Sequence, residues 1–287
     1  MMADASTERD NASVSPRPPD PKQSDPEQTG ADGAAVALEA RMRALVGSAG
    51  GAAAGAAAGA AAYHLDAGGS RVRATLALKA GAALGLDAQA RLSIASACEL
   101  LHNASLVHDD LQDEDPMRRG RDAVWSRFGA NTAMCAGDLM LSAAYAALAG
   151  AGPRAPALTA HAHARVAAVI AGQCADLDAR TARTDADPAA YERIAAAKSG
   201  PLLGLPIELC LIAAGREDRV EDAARAAERF AIAYQICDDL ADADQDAASG
   251  EINIVTVLAA AGAGAPRAAA SARACTLLDS ARRLAGA

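Results

Sequence analysis

Two short stretches of this sequence place more negative charge on one helical face than water alone would settle. ELLHNASLVHDDLQDEDPMRRG carries Asp109, Asp110 and Asp113 at the end of an apolar run, and FAIAYQICDDLADADQD repeats the spacing with Asp238, Asp239 and Asp242. Residues three and four apart share a helix face, so the first two carboxylates of each cluster both lie beside the third. Like charges so placed repel, and partial burial near Leu106, Val107 and Leu111 raises the cost unless cations compensate. One such cluster reads as a solvated helix end. Two, more than a hundred residues apart and each emerging from an apolar helix, point to two facing helices that chelate several ions from opposite sides. Magnesium suits that task, being a hard cation that bridges one or two carboxylates to substrate phosphates.

The rest of the chain reads as helices. Hydrophobic residues make up 52% of it and aromatics only 2%, so the core is built from Ala, Leu, Val and Ile. No period-2 stretch bounded by hairpin turns stands out, which predicts an all-α fold. Residues 1–33, dense in Pro, Asp, Ser and Gln, have the composition of a disordered tail, and residues 34–287 form one helical domain. Val36, Leu38, Met42 and Leu45 open the helical pattern. The glycines at 47, 51, 55 and 59 then allow close helix contact, and a packed helix is expected there. Further helices are predicted over Thr75–Ala83, Ala88–Val107, Ala130–Leu148, Ala157–Asp178, Ala189–Ala214, Glu221–Ala241 and Ala268–Leu284, with breaks at Gly85, Pro116, Gly150–Pro153, Pro188 and Gly215.

Charge and cysteine usage narrow the function. A net charge of −9 argues against nucleic acid, whose binders carry a basic stripe. The six cysteines form no Cys-x-x-Cys pair and read as small core residues. The N-terminus lacks a basic flank followed by an apolar stretch, so the expected location is cytoplasmic. The Ala/Gly run is too weakly apolar to be read as a transmembrane segment. An anionic ligand would need local positive charge. Arg118 and Arg119 follow the first cluster, Arg71 and Arg73 lie in GGSRVRA, and Lys198 stands apart from both. Arginine forks suit bidentate phosphate contacts, and lysine supplies a point charge.

With these residues in view, the chain resembles the trans-isoprenyl diphosphate synthases, or polyprenyl synthetases, from about Ala34 to Leu258. HNASLVHDDLQDEDPMRRG is similar to that family's first aspartate-rich motif and YQICDDLAD to its second. GGSRVRA, AGDLML, GQCADL and KSG follow as weaker matches in the expected order. The resemblance implies an isoprenoid/terpenoid synthase helical bundle around a deep central cavity, a homodimer, and condensation of isopentenyl diphosphate with an allylic prenyl diphosphate. It implies that Asp109, Asp113 and Asp238 hold Mg2+ (three ions, with Mn2+ as a substitute), supported by Asp110, Asp239 and Asp242. Arg118, Lys198, Ser199 and Gln235 would touch the allylic diphosphate. Gly69, Arg73, His102 and Arg119 would grip isopentenyl diphosphate, with Gln173 and Asp176 near the reacting carbons. Ala104 and Ser105, small residues about one turn before Asp109, imply a product of C20 or longer, geranylgeranyl diphosphate first.

The chain departs from the pattern where Ser70 replaces a lysine, where Ala74 replaces a proline, and where no Gly-Lys stretch follows Asp242. Those losses motivate an alternative, a subunit that modulates a heteromeric partner. A terpene cyclase is disfavoured by the second cluster's spacing and by the scarcity of aromatic faces to stabilise cations. A helical protein that binds divalent metal without chemistry is a further reading. His64, His161, His163, Trp125 and Met134 read as surface or core residues, and His108 as a helix-end residue or an orienter of a carboxylate.

Overall fold

A computed structural model describes residues 26–48, 55–182, 187–249 and 252–286. Eleven α-helices are seen among them. These are α1 (Pro26–Gly47), α2 (Gly55–Asp66), α3 (Val72–Ala83), α4 (Ala88–Gln112), α5 (Val124–Phe128), α6 (Ala130–Ala149), α7 (Ala155–Ala182), α8 (Pro188–Ala213), α9 (Val220–Ser249), α10 (Ile254–Ala260) and α11 (Pro266–Gly286). A two-stranded antiparallel hairpin, β1 (Met117–Arg118) and β2 (Arg121–Asp122), pairs Arg118 with Arg121 and interrupts the helical order. The all-α expectation holds, and the long helices lie where the apolar periodicity puts them.

Several boundaries differ from the sequence reading, among them the end of α9, which runs to Ser249 rather than stopping at Ala241 and so includes Asp242. Helix α1 begins at Pro26 rather than near Ala34, while most of the expected tail lies outside the described residues. The glycine-rich stretch is split: α1 ends at Gly47, α2 begins at Gly55, and Gly51 lies outside the described residues. Helix α4 continues to Gln112, so Asp109 and Asp110 are within the helix and Asp113 is its C-cap.

Local chemistry sets several of these ends. Asp87 caps α4 by accepting the Ala90 N–H at 2.7 Å, and Asp187 caps α8 in the same way through Ala190, with Pro188 in the first turn. Gly85 and Gly215 turn the chain out of α3 and α8 at φ of +74°, a conformation that side chains with a Cβ resist. Helix α8 runs through Pro201 and Pro206, both internal to it.

Helix α4 is the axis of the larger core. Ser93–Leu101 are buried without interruption, because α4 is packed by α1, α3, α6 and α8. Leu100, Met140, Leu148, Leu158, Leu205 and Leu209 are fully enclosed in this region. Each such side chain is worth about 1.5–3 kcal/mol relative to exposure. A smaller core of Tyr191, Ile232, Ile236, Ile254, Ala274 and Leu277 joins α8, α9, α10 and α11. Helix α8 contributes to both cores, so it fixes the end of α4 relative to α9. Two helices among the described residues, Ala130–Ala149 and Pro188–Ala213, are long and apolar enough to cross a membrane; both pack inside the fold.

Candidate active site

The first carboxylate cluster sits where α4 runs out of core. Asp110 is buried, and Arg118 of the hairpin reaches back to it, with Nε donating to Oδ1 at 2.7 Å and a terminal nitrogen donating to the same oxygen. Oδ2 of Asp110 is buried without a hydrogen-bond partner. Asp109 is half-buried, and burial pushes its carboxyl upward, assisted by Asp113 and Asp110 and opposed by Lys198 and Arg118. Lys198 of α8 is thus near enough to the end of α4 for its charge to act on Asp109. Lys198 Nζ itself donates to Asp176 Oδ2 of α7 at 2.9 Å, and Gln173 donates to Gln112 Oε1 at 3.0 Å. The end of α4, α7 and α8 are thereby tied together.

Glycine makes that approach possible. A Cβ on Gly172, next to Gln173, would lie 2.6 Å from the Ala197 carbonyl carbon and 2.7 Å from the Lys198 nitrogen. Backbone atoms cannot yield as a flexible side chain does, so Gly172 sets the distance between the GQCADL and KSG segments.

The second cluster divides into two kinds of carboxylate. Asp238 and Asp242 are exposed, and Asp238 is pushed upward by burial and by its neighbours Asp242 and Asp239. Asp239 is 5% exposed and accepts three hydrogen bonds from the protein: Tyr191 Oη at 2.8 Å, Gln235 Nε2 at 2.8 Å and the Ile254 N–H at 2.7 Å. The sequence reading grouped all three as one acidic face. Folding turns Asp239 inward and engages Gln235 with it, so neither points freely into the site.

A second, cationic nest forms around His102, two turns before Asp109 on α4. Arg119 donates to the Gly68 carbonyl, and its guanidinium covers Gly69 so closely that a Cβ there would fall 2.8 Å from Cζ. Gly69 has φ of +135° and Arg119 φ of +54°, so both ends of this contact use left-handed backbone. His102 is pushed down to about 3 by burial and by the charge of Arg73 and Arg119, and His64 to about 4 by burial and Arg119. Arg73 Nε is buried without a partner. Gly69, Arg73, His102 and Arg119 are therefore gathered in one electropositive place. Arg71 is engaged elsewhere, bonded to Glu39 at 2.6 Å and to the Leu65 carbonyl at 3.1 Å.

Other expected residues take different positions. Arg118 is committed to Asp110 in this structure. Ala104 is packed within the core, whereas Ser105 is half-buried and its hydroxyl donates to the His102 carbonyl at 2.9 Å. Ser199 is half-buried beside Lys198, and Ser70 is exposed. His108 approaches Asp138 at 3.7 Å and the Met134 carbonyl at 3.3 Å, so the structure pairs it with α6 rather than with the aspartates. His161 has a partner the sequence did not reveal, Glu208 at 2.6 Å. Sequence reasoning also missed Glu99, which is buried, accepts the Ala74 N–H at 3.0 Å and lies 3.8 Å from Arg71. The non-polar run around Glu99 was its only signal.

The donor chemistry of each cluster fits a hard divalent cation. Asp109, Asp113, Asp238 and Asp242 offer only carboxylate oxygens, and the upward push on Asp109 and Asp238, from burial first and from neighbouring carboxylates second, is a cost that a bound cation would relieve. Among the described residues, no group of three or more His, Cys, Asp or Glu could hold an ion by itself. Such a site needs oxygens from a ligand as well.

Comparison with known proteins gives one family. The polyprenyl synthetase family profile matches residues 56–254. The chain is similar to a geranylgeranyl pyrophosphate synthase of Geoglobus acetivorans, 35% identical over 63% of this chain and 57% of that protein. It is 36% identical to a (2E,6E)-farnesyl diphosphate synthase of Mycobacterium tuberculosis over 60% of this chain and 48% of that protein. The chain spans about half the length of these curated relatives. Among solved structures it is similar to an FPP/GFPP synthase of Zymomonas mobilis, with a TM-score of 0.75 and 25% identity over 90% of this chain and 92% of that one.

Proposed function

The chain belongs to the polyprenyl synthetase family, and from that premise we propose that it joins isopentenyl diphosphate to an allylic prenyl diphosphate to give a longer trans-prenyl diphosphate. The observation that carries this reading is the pairing of two different anion sites. One is the carboxylate cluster that closes α4, and the other is the nest in which Arg119 covers Gly69 beside Arg73 and His102. A reaction of two diphosphates needs both.

Asp109, Asp113 and Asp238 would hold magnesium against the allylic diphosphate, with Asp242 beside them, and manganese would substitute. When bound, the ions, three in this reading, supply Lewis-acid stabilisation of the departing diphosphate. Lys198 adds positive charge on the same side. The allylic C–O bond breaks and the diphosphate leaves with its electron pair. The isopentenyl double bond then forms the new C–C bond, and a proton is lost. Arg73, Arg119 and His102 hold the isopentenyl diphosphate, whose own diphosphate stays attached. Aliphatic walls rich in Leu and Ala exclude water that would otherwise trap the cation.

Ser105, small and one turn before Asp109, supports a product of C20 or longer. We propose a homodimer in a reducing compartment, consistent with six unpaired cysteines. Exposed Ser70, which leaves the isopentenyl side without one expected cation, favours a second reading in which activity requires a heteromeric partner. The purified protein is to be given isopentenyl diphosphate, magnesium and, in turn, dimethylallyl, geranyl and farnesyl diphosphate, with product length read by mass spectrometry. A C20 or longer product supports the first reading. No elongation from any primer would sink the stand-alone synthase.

A further inference from the structure

We infer that Asp239 acts as an anchor rather than a metal ligand, and that Tyr191 and Asn253 are positioning residues that set the aim of Asp238 and Asp242. The inference rests on the metal-site reading above.

The hydrogen-bond geometry carries it. Asp239 follows Asp238 in α9, but its carboxylate turns into the smaller core and receives Tyr191 Oη from α8 and the Ile254 N–H from the start of α10. Its backbone carbonyl accepts Asn253 Nδ2 at 2.7 Å, and the same nitrogen lies 2.7 Å from Asp246 Oδ2. Asn253 Oδ1 accepts the Val255 N–H at 2.8 Å, so one residue caps α10 and holds α9. Asn253 is fully buried, and Asp239 and Tyr191 nearly so.

These contacts act on rotation. Asp238 and Asp242 lie on the exposed face of α9, whereas Asp239, about a third of a turn away from Asp238, faces the core. Hydrogen bonds from α8 and α10 to that inward residue fix the helix about its own axis. The direction of Asp238 and Asp242 follows. Apolar packing at Ile232 and Ile236 holds α9 in place, but it is less directional than the three hydrogen bonds that Asp239 receives from outside α9. Outer partners that orient a metal ligand typically carry about 10–100-fold in metal affinity.

The test uses the 287-residue chain with inorganic pyrophosphate and Mg2+ as the probe, read by titration calorimetry without turnover, alongside thermal unfolding. Tyr191→Phe removes one donor to Asp239. Asn253→Asp keeps the cap on Val255 but replaces the donor to α9 with an acceptor. Asp238→Asn removes a proposed ligand, and Leu277→Ala loosens the same core without touching the anchor. We expect Tyr191→Phe and Asn253→Asp to weaken Mg2+-dependent pyrophosphate binding about 10-fold, and Asp238→Asn about 100-fold or more. Leu277→Ala should lower the unfolding temperature with affinity unchanged. If the two anchor variants unfold earlier yet bind like wild type while Asp238→Asn does not, the positioning role is wrong and the metal site stands. If Asp238→Asn also binds like wild type, the metal-site reading fails and takes the inference with it.

Discussion

Replacing Asp109 with asparagine should make the protein more stable and much worse at binding its ligand. Asp109 is a half-buried carboxylate pushed upward by burial and by Asp113 and Asp110, with Lys198 as the main opposing charge. Neutralising it removes a like-charge i,i+4 pair worth roughly 0.2–0.5 kcal/mol, together with the cost of keeping a charge partly out of water. The lost attraction to Lys198 is partly screened and takes back a few tenths of a kcal/mol. The net gain is about 1 kcal/mol, which raises the unfolding temperature by about 2–4 °C in a chain of this size. Magnesium and pyrophosphate at about 100 times their dissociation constant should add about 2.7 kcal/mol to the wild type, a rise of roughly 5–11 °C. A 100-fold loss of affinity in Asp109→Asn leaves about 0.4 kcal/mol of that. Scanning calorimetry of both proteins, with and without ligand, reads all four values. A variant that unfolds earlier than wild type and still gains the full ligand shift would refute this reasoning.

Other consequences are as definite. Gly172→Ala should cost about 1–3 kcal/mol and separate Gln173 and Asp176 from Lys198, so denaturant midpoint and turnover fall together; unchanged values of both would show that α7 and α8 are not in contact there. His64 is held down to about 4 in the fold against 6.5, so the unfolded chain binds more protons between those values. Stability is then fully present above about pH 6.5 and is lost as pH falls toward 4, by roughly 3 kcal/mol from this residue. His64→Gln should flatten that slope in denaturation measured at pH 7 and pH 4.5; an unaltered slope contradicts the assignment. Arg119→Ala should raise the KM for isopentenyl diphosphate at least about 10-fold while leaving the allylic KM within about twofold, and an equal rise in both would merge the two anion sites into one.

The helices were legible because Ala, Leu and Val recur at helical spacing, and that pattern survives any tertiary arrangement. The acidic clusters were legible for the same reason, as local spacings. What the pattern could not give was rotation within a cluster. Asp238 and Asp239 are adjacent and chemically identical, and contacts remote in sequence, from Tyr191 and the Ile254 N–H to its carboxylate and from Asn253 to its backbone, turn Asp239 inward. Arg71 and Arg118 read as ligand-binding cations because folding sets their acidic partners: Glu39 comes from 32 residues away, and the chain reversal after α4 turns Arg118 back onto Asp110. Ala104 and Ser105 read as one feature and separated, since adjacent helical positions face different sides. The hairpin at 117–122 is too short for a strand pattern to register.

Diphosphate release from geranyl diphosphate, followed with and without isopentenyl diphosphate, tests the central claim most directly. Coupled condensation predicts release only when both substrates and magnesium are present, with one diphosphate freed for each five-carbon unit added, and no release by Asp109→Ala or Asp238→Ala. Release from geranyl diphosphate alone at the same rate would contradict the claim, because the carboxylate site would then ionise its substrate without using the cationic nest.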